Sequence, residues 1–166
     1  MYLYYHYKSK QKSDRIVKPP IGYQIQVGHI NTDYTRTEEM GVGPVMFLYL
    51  SIMTFLCRGL KRILREYRIV KNNTIVCKLV VNSWCPIYRF MPKHALHVGF
   101  ARTIPEERGN GLYPLLLEYV KSDLDGFDLY MIFDETNSSS IRGIEKAGFD
   151  MIASGEKEGR IFKIIR

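Results

Sequence analysis

The sequence predicts an α/β chain of the α+β type, with a mixed, mostly antiparallel central sheet and helices on both faces. Three observations carry that expectation. Apolar runs of strand length crowd the chain before Leu112, helix and strand patterns alternate after it, and turn signals separate them at short intervals. With 166 residues, of which 46% are hydrophobic, the chain is long enough for one core and too short for two sizeable ones, so 1–166 is read as a single domain.

Taken in order, the N-terminus sets Tyr2, Tyr4, Tyr5 and Tyr7 beside Lys8, Lys10, Lys12, Arg15 and Lys18. That mixture could hold single-stranded nucleic acid by stacking and charge. Charge runs are more often simply solvated, and no nucleic-acid motif is present, so a basic edge strand or arm is expected. Lys18-Pro19-Pro20-Ile21-Gly22 reads as a connector and Gly28–Arg36 as a polar loop. Pro44–Cys57 carries no charge but falls short of the roughly 20 residues needed to cross a bilayer. With Leu60, Ile63 and Leu64 continuing its apolar face and Arg58, Lys61, Arg62, Arg65 and Glu66 a charged one, it predicts a helix over Pro44–Arg65 packed on the sheet. An exposed part of that helix would line a pocket or a homodimer contact.

Arg68–Val70 and Thr74–Ser83 flank Asn72-Asn73 and predict a β-hairpin. Ile87–Met91 and Leu96–Arg102 flank Pro92-Lys93-His94 and read as a second strand pair. A helix is predicted over Leu112–Ser122, a strand over Phe127–Phe133, and a short helix over Ser140–Ala147. Phe149–Ala153 and Arg160–Ile165 around Gly155–Gly159 predict a closing hairpin.

The segment with most chemistry in it is Thr103–Leu117, where a strand-like run meets a glycine turn that opens into a helix. Gly109 and Gly111 remove the side chains that would keep a ligand from the backbone, and the N–H groups of the next helical turn favour anionic oxygens. Pro114 suits a first turn, where its missing N–H costs nothing. The segment lacks the third spaced glycine of a dinucleotide fold and the Gly-Lys-Ser/Thr ending of a nucleoside triphosphate loop, which disfavours NAD and ATP.

A second segment, Asp134–Phe149, follows the Phe127–Phe133 strand. Together the two resemble the GNAT superfamily of acetyl-CoA-dependent N-acetyltransferases. Its members carry Arg or Gln, two residues, Gly, one residue, then Gly or Ala, placed after a strand and a Pro. Here Arg108, Gly111 and Pro105 match, and Tyr113 departs from the small residue expected. A second pattern, an Asn, a short helix and a terminal Gly-Phe, is matched by Asn137, Ser140–Ala147 and Gly148-Phe149. The resemblance covers Leu96–Arg166, so 96–166 would be the cofactor-binding core and 1–43 a variable acceptor-side region. It implies two central parallel strands, ending near Thr103 and Phe133, that splay apart to hold CoA. It implies further that Ala101, Arg102 and Thr103 meet the pantetheine arm, that Arg108, Gly109, Asn110, Gly111, Leu112, Tyr113 and Pro114 hold the pyrophosphate through backbone amides, and that Asn137 contacts the cofactor.

The resemblance also implies an activity: acetyl transfer from acetyl-CoA to a primary amine in a ternary complex, with an amino sugar or amino acid favoured as acceptor. Many members hold a Tyr before Gly-Phe that protonates the leaving thiolate, whereas the matching position here holds Ile144. Amine attack needs a proton acceptor and oxyanion stabilisation. Backbone N–H groups around Ala101–Thr103 could supply the second. For the base, Glu135, His97 and Glu106 are available, with Tyr113 or Tyr130 as donors, and none is singled out by its neighbours in sequence. Taken singly, His97 reads as a satisfied strand histidine and the two glutamates as solvated.

A formal charge of +7 suits an anionic partner, and CoA is one. Cys57, Cys77 and Cys85 show neither metal-ligand spacing nor an even-numbered disulfide framework, so no metal and a reduced, cytoplasmic setting are expected. Met1–Lys8 does not follow the pattern of a secretory signal. A rival from another class is a non-catalytic basic module of the same fold, binding nucleic acid or protein through its N-terminal arm.

Overall fold

The computed structural model describes residues 1–9, 17–28, 52, 63–83, 90–158 and 161–165. Eight strands form one sheet: β1 (Tyr2–Tyr7), β2 (Tyr23–Gly28), β3 (Leu64–Lys71), β4 (Thr74–Ser83), β5 (Leu96–Thr103), β6 (Leu129–Asp134), β7 (Asp150–Glu158) and β8 (Ile161–Ile164). Their spatial order is β2-β3-β4-β5-β6-β1-β7-β8. The β5–β6 pair is parallel and every other pair antiparallel, so the sheet is mixed and mostly antiparallel as expected. Two helices, α1 (Leu112–Asp123) and α2 (Ser138–Lys146), follow β5 and β6.

The β3–β4 hairpin turns where the sequence places it. Asn72 and Asn73 take φ of 49° and 61°, the left-handed pair that matches the twist of a two-residue hairpin and that asparagine tolerates better than most residues. Leu116, Leu117 and Val120 of α1 and Ile144 of α2 pack with Tyr5, Tyr67, Ile69, Leu79, Val81, Val98, Leu129 and Met131 in one apolar core. Both described helices thus cover the same sheet face. The other face carries Tyr4, Phe90, Met91, Ala95 and Tyr130 in a smaller aromatic cluster.

Four expectations are corrected. Tyr2–Tyr7 is neither an edge nor an arm: β1 lies between β6 and β7, and Tyr4 and Tyr5 are buried, because the alternating rings fill both faces of an interior strand. Leu64 and Arg65, read as a helix end, open β3 opposite Asn82 and Val81; the rest of the Pro44–Arg65 helix lies outside the described residues, apart from Ile52 and Ile63. Leu96–Arg102 does not pair with Ile87–Met91: β5 is flanked by β4 and β6, Phe90 and Met91 sit in a turn, and 84–89 lies outside the described residues. In the last hairpin Gly155, Glu156 and Lys157 belong to β7, opposite Ile164, Lys163 and Phe162, since pairing carries the ladder through the polar run.

Candidate cofactor-binding cleft

The cleft begins with a break in the sheet. β5 and β6 pair only at Leu96↔Leu129 and His97↔Tyr130, after which the strands diverge. Each remains held on its other edge, β5 by β4 out to Thr103 and β6 by β1 out to Asp134. A bulge accompanies the divergence. Between Val80↔Gly99 and Lys78↔Arg102, β5 holds one more residue than β4, and Phe100 there has φ of 52°. Such an insertion bends the strand that carries it. The gap opens at the carboxyl ends of two parallel strands, the usual place for a ligand in an open α/β sheet.

Across this opening lies the Pro105–Gly111 turn. Pro105–Glu107 form one 3-10 turn, then Gly109 and Gly111 take φ of 83° and 72°, the left-handed region that favours glycine. Gly111 caps α1 without a side chain, and a Cβ added at either glycine would meet nothing within 4 Å. Among the described residues the first helical N–H to find a backbone acceptor is that of Leu115, on Gly111 O at 3.1 Å. The amides from Gly109 to Tyr113 find no acceptor among the described residues and stand at the positive end of the helix. On β5, Ile104 N donates to Val76 O of β4 at 3.0 Å, so strand alternation turns the N–H and C=O of Thr103, and of Ala101 before it, towards the gap and those of Arg102 towards β4. Arg108 Nε donates to Thr103 O at 3.2 Å, which lays its guanidinium beside that edge.

Glu107, which the sequence did not distinguish from Glu106, anchors the turn. Its carboxylate accepts from Tyr23 Oη at 2.7 Å, Lys71 Nζ at 2.6 Å and Asn110 Nδ2 at 2.9 Å, tying the turn to β2 and β3. The hydrogen bonds from the lysine, the tyrosine and the asparagine hold its pKa down to about 2. Its side chain is nearly buried, whereas Glu106 is exposed. Two adjacent glutamates of the same residue type differ in which one the 3-10 turn points inward, and Glu107 is the one that meets partners on β2 and β3.

Tyr113 turns away from the amides. Its ring lies on Gly143 of α2, where an added Cβ would come within 2.8 Å of Cδ1, and its hydroxyl is buried near Cys77 without a hydrogen-bond partner. Burial first, and the neighbouring Cys77, push its pKa well above that of an ordinary tyrosine. The bulky residue in place of a small one therefore fills the interface between α1 and α2 and leaves the turn open.

The remaining candidates are dispersed. His97 is on the face opposite the helices, its ring over Gly99, and its Nδ1 is 3.2 Å from Asn82 Oδ1. Asn82 Nδ2 donates to Ser83 O, so Oδ1 is the acceptor, His97 Nδ1 carries the hydrogen and Nε2 the lone pair. Burial pushes the His97 pKa down to about 3, so the imidazole is neutral near pH 7. Glu135 is exposed and pairs with the Met1 amino group at 3.3 Å. Asn137 caps α2, its Oδ1 accepting from Ser140 N at 3.2 Å. Tyr130 stacks on His6. Ile144 is fully buried in the core, so no polar group stands at that position. The turn thus follows directly on the β5 edge and Asn137 follows the end of β6, while Glu106 and Glu135 are exposed.

No protein-family model matches the chain, and no curated protein matches it. Solved structures do. An acetyltransferase from the GNAT family from Colwellia psychrerythraea aligns over 90% of this chain and 52% of its own, with a TM-score of 0.58 at 11% identity. A Drosophila protein aligns over 91% and 47%, with a TM-score of 0.55 at 12% identity. A conserved protein of unknown function from Staphylococcus epidermidis aligns over 91% and 57%, with a TM-score of 0.52 at 12% identity. The chain spans about half the length of these solved structures. At such identities the likeness is one of architecture, and the architecture is clear: a mixed α/β sheet of GNAT-like fold.

Proposed function

We propose that the chain binds acetyl-CoA in the β5–β6 gap and transfers its acetyl group to a primary amine by direct attack in a ternary complex. One observation carries this reading: the sheet opens between the one parallel pair among its described strands, and β5 leads there into a helix N-terminus whose amides from Gly109 to Tyr113 find no acceptor among the described residues, an arrangement suited to an anion. The pyrophosphate sits on those amides, with Arg108 beside it. The pantetheine arm runs along the edge that Ala101 and Thr103 present, and Asn137 closes the β6 side. The N–H groups of that same edge stabilise the oxyanion formed at the thioester carbonyl. The amine attacks the thioester carbon, the C–S bond breaks, and with Ile144 where many members of the superfamily hold a tyrosine, water takes the proton that the amine loses and returns one to the departing thiolate.

Acetyl-CoA binding by calorimetry tests this, with Gly111→Asp against Gly111→Asn. Both side chains tolerate the left-handed backbone and meet open space, so they differ in charge alone. Saturable binding lost in the aspartate variant and kept in the asparagine variant is expected. A folded parent protein that does not bind acetyl-CoA would sink the reading. The amine is then sought by following thiol release.

A further inference from the structure

A negative charge stands beside the Gly109–Tyr113 amides. Glu107 is 8% exposed, and Asn110, within that run, donates from Nδ2 to Glu107 Oε2 at 2.9 Å. The carboxylate is therefore one short side chain away from the place where the turn would receive an anion. Like charges that close repel, so an uncompensated carboxylate would work against anion binding. Lys71 supplies the compensation. Its Nζ is 2.6 Å from Glu107 Oε1 and donates to Tyr23 Oη at 3.1 Å, while Tyr23 Oη donates to Glu107 Oε2 at 2.7 Å. The ammonium also lies 4.9 Å from the centroid of the Tyr23 ring, within reach of a cation–π contact. Both carboxylate oxygens are thus occupied, Oε1 by the cation and Oε2 by two neutral donors. The adjacent cation, Arg108, donates to Thr103 O instead.

Register puts Lys71 there. It is the last residue of β3, paired with Tyr23 of β2 on one side and with Thr74 of β4 on the other, immediately before the Asn72-Asn73 turn. Directly paired residues project to the same side of a sheet, so Lys71 and Tyr23 reach Glu107 together. We infer that Lys71 is a positioning residue for the cofactor: by neutralising Glu107 it lets that carboxylate brace the turn without opposing the pyrophosphate the turn receives. This rests on the reading given under Proposed function. The role requires no contact between Lys71 and the ligand, since its charge is used on Glu107.

The test is calorimetry at low salt with acetyl-CoA, and separately with inorganic pyrophosphate. It compares the parent protein, Lys71→Met, Lys71→Arg, Glu107→Gln and the double variant Lys71→Met with Glu107→Gln, each checked for its melting transition. Lys71→Met should weaken both ligands by about tenfold, the effect of one uncompensated charge beside the site. Raising the salt should shrink that loss, because the freed carboxylate is then screened. Lys71→Arg should restore most of the affinity. In the Glu107→Gln background Lys71→Met should change affinity by less than about twofold, since no carboxylate is left to neutralise. An equal loss from Lys71→Met in both backgrounds would mean that the lysine holds the ligand itself. No loss in the parent background would mean that Glu107 needs no cation, and a loss that arginine does not rescue and that follows a lowered melting transition would mean a structural role alone. Each of these three overturns the inference. If the parent protein does not bind acetyl-CoA while pyrophosphate shows the full pattern, the cofactor reading falls and the brace stands; if neither ligand binds, both fall.

Discussion

Gly143→Ala should change sign with the residue at 113. In the parent protein the new methyl would lie 2.8 Å from Cδ1 and 3.2 Å from Cε1 of Tyr113, a ring too rigid and too enclosed to step aside. Overpacking of this kind costs about 1–3 kcal/mol, whereas Gly to Ala within a helix gains up to about 1 kcal/mol. The net expectation is a loss of about 1 kcal/mol, or about 2–4 °C in Tm for a chain of this length. With Tyr113→Ala already in place the ring is gone, and Gly143→Ala should stabilise by up to about 1 kcal/mol. The coupling of about 2 kcal/mol lies well above the roughly 0.3–0.5 kcal/mol within which independent sites add. Urea unfolding of the four proteins measures it. Equal effects of Gly143→Ala in the two backgrounds would show that the ring does not lie on α2, and with that the account of how the turn stays open would fail.

Three other perturbations probe the same geometry. Tyr113→Phe removes a buried hydroxyl without a partner and should be neutral or stabilising by up to about 1 kcal/mol in thermal melts; a loss of that size would mean the hydroxyl is bonded. His97 has a folded-state value of about 3 against 6.5 for the free side chain, so below pH 6.5 the unfolded chain takes up a proton that the folded chain refuses. Its contribution is complete above pH 6.5 and falls with pH, by up to about 1.4 kcal/mol per unit until the folded value is reached. Urea unfolding between about pH 7.5 and 5 should show that slope, and His97→Leu should flatten it by about one proton's worth. Glu107→Gln keeps the shape but removes the charge that holds Lys71, Tyr23 and Asn110, and should weaken acetyl-CoA binding more than it changes the melting transition. Equal affinity in that variant would show that the turn holds its form without the carboxylate.

Much of the fold was legible because its signals are local. Asn72-Asn73 can adopt the left-handed pair of a tight hairpin, the apolar stripe from Leu112 to Val120 fits only one side of a helix, and Gly111 before Pro114 marks a helix that starts without a capping side chain. The glycine turn and the Asn137 cap were legible for the same reason, since each depends on backbone conformation within a few residues. Local signals failed where partners are distant. Nothing in Tyr2–Tyr7 says that it will be flanked by β6 and β7, more than a hundred residues away, rather than left as an edge. Leu64 and Arg65 continue a helical pattern yet become strand because Asn82 and Val81 offer them a ladder.

The sequence by itself determined the glycine turn, the Asn72-Asn73 hairpin and the alternation of strand and helix after Leu96, because backbone preference and apolar period act over one element at a time. Tertiary structure alone decided which of two adjacent glutamates braces the turn, where the Tyr113 ring goes, and that Arg68, Lys78 and Arg102 share one row. Those are matters of register and of the face a strand presents, and they follow from pairing between segments far apart in the chain. A shift of one residue in the register of β3, β4 or β5 would have moved Arg68, Lys78 or Arg102 to the other face.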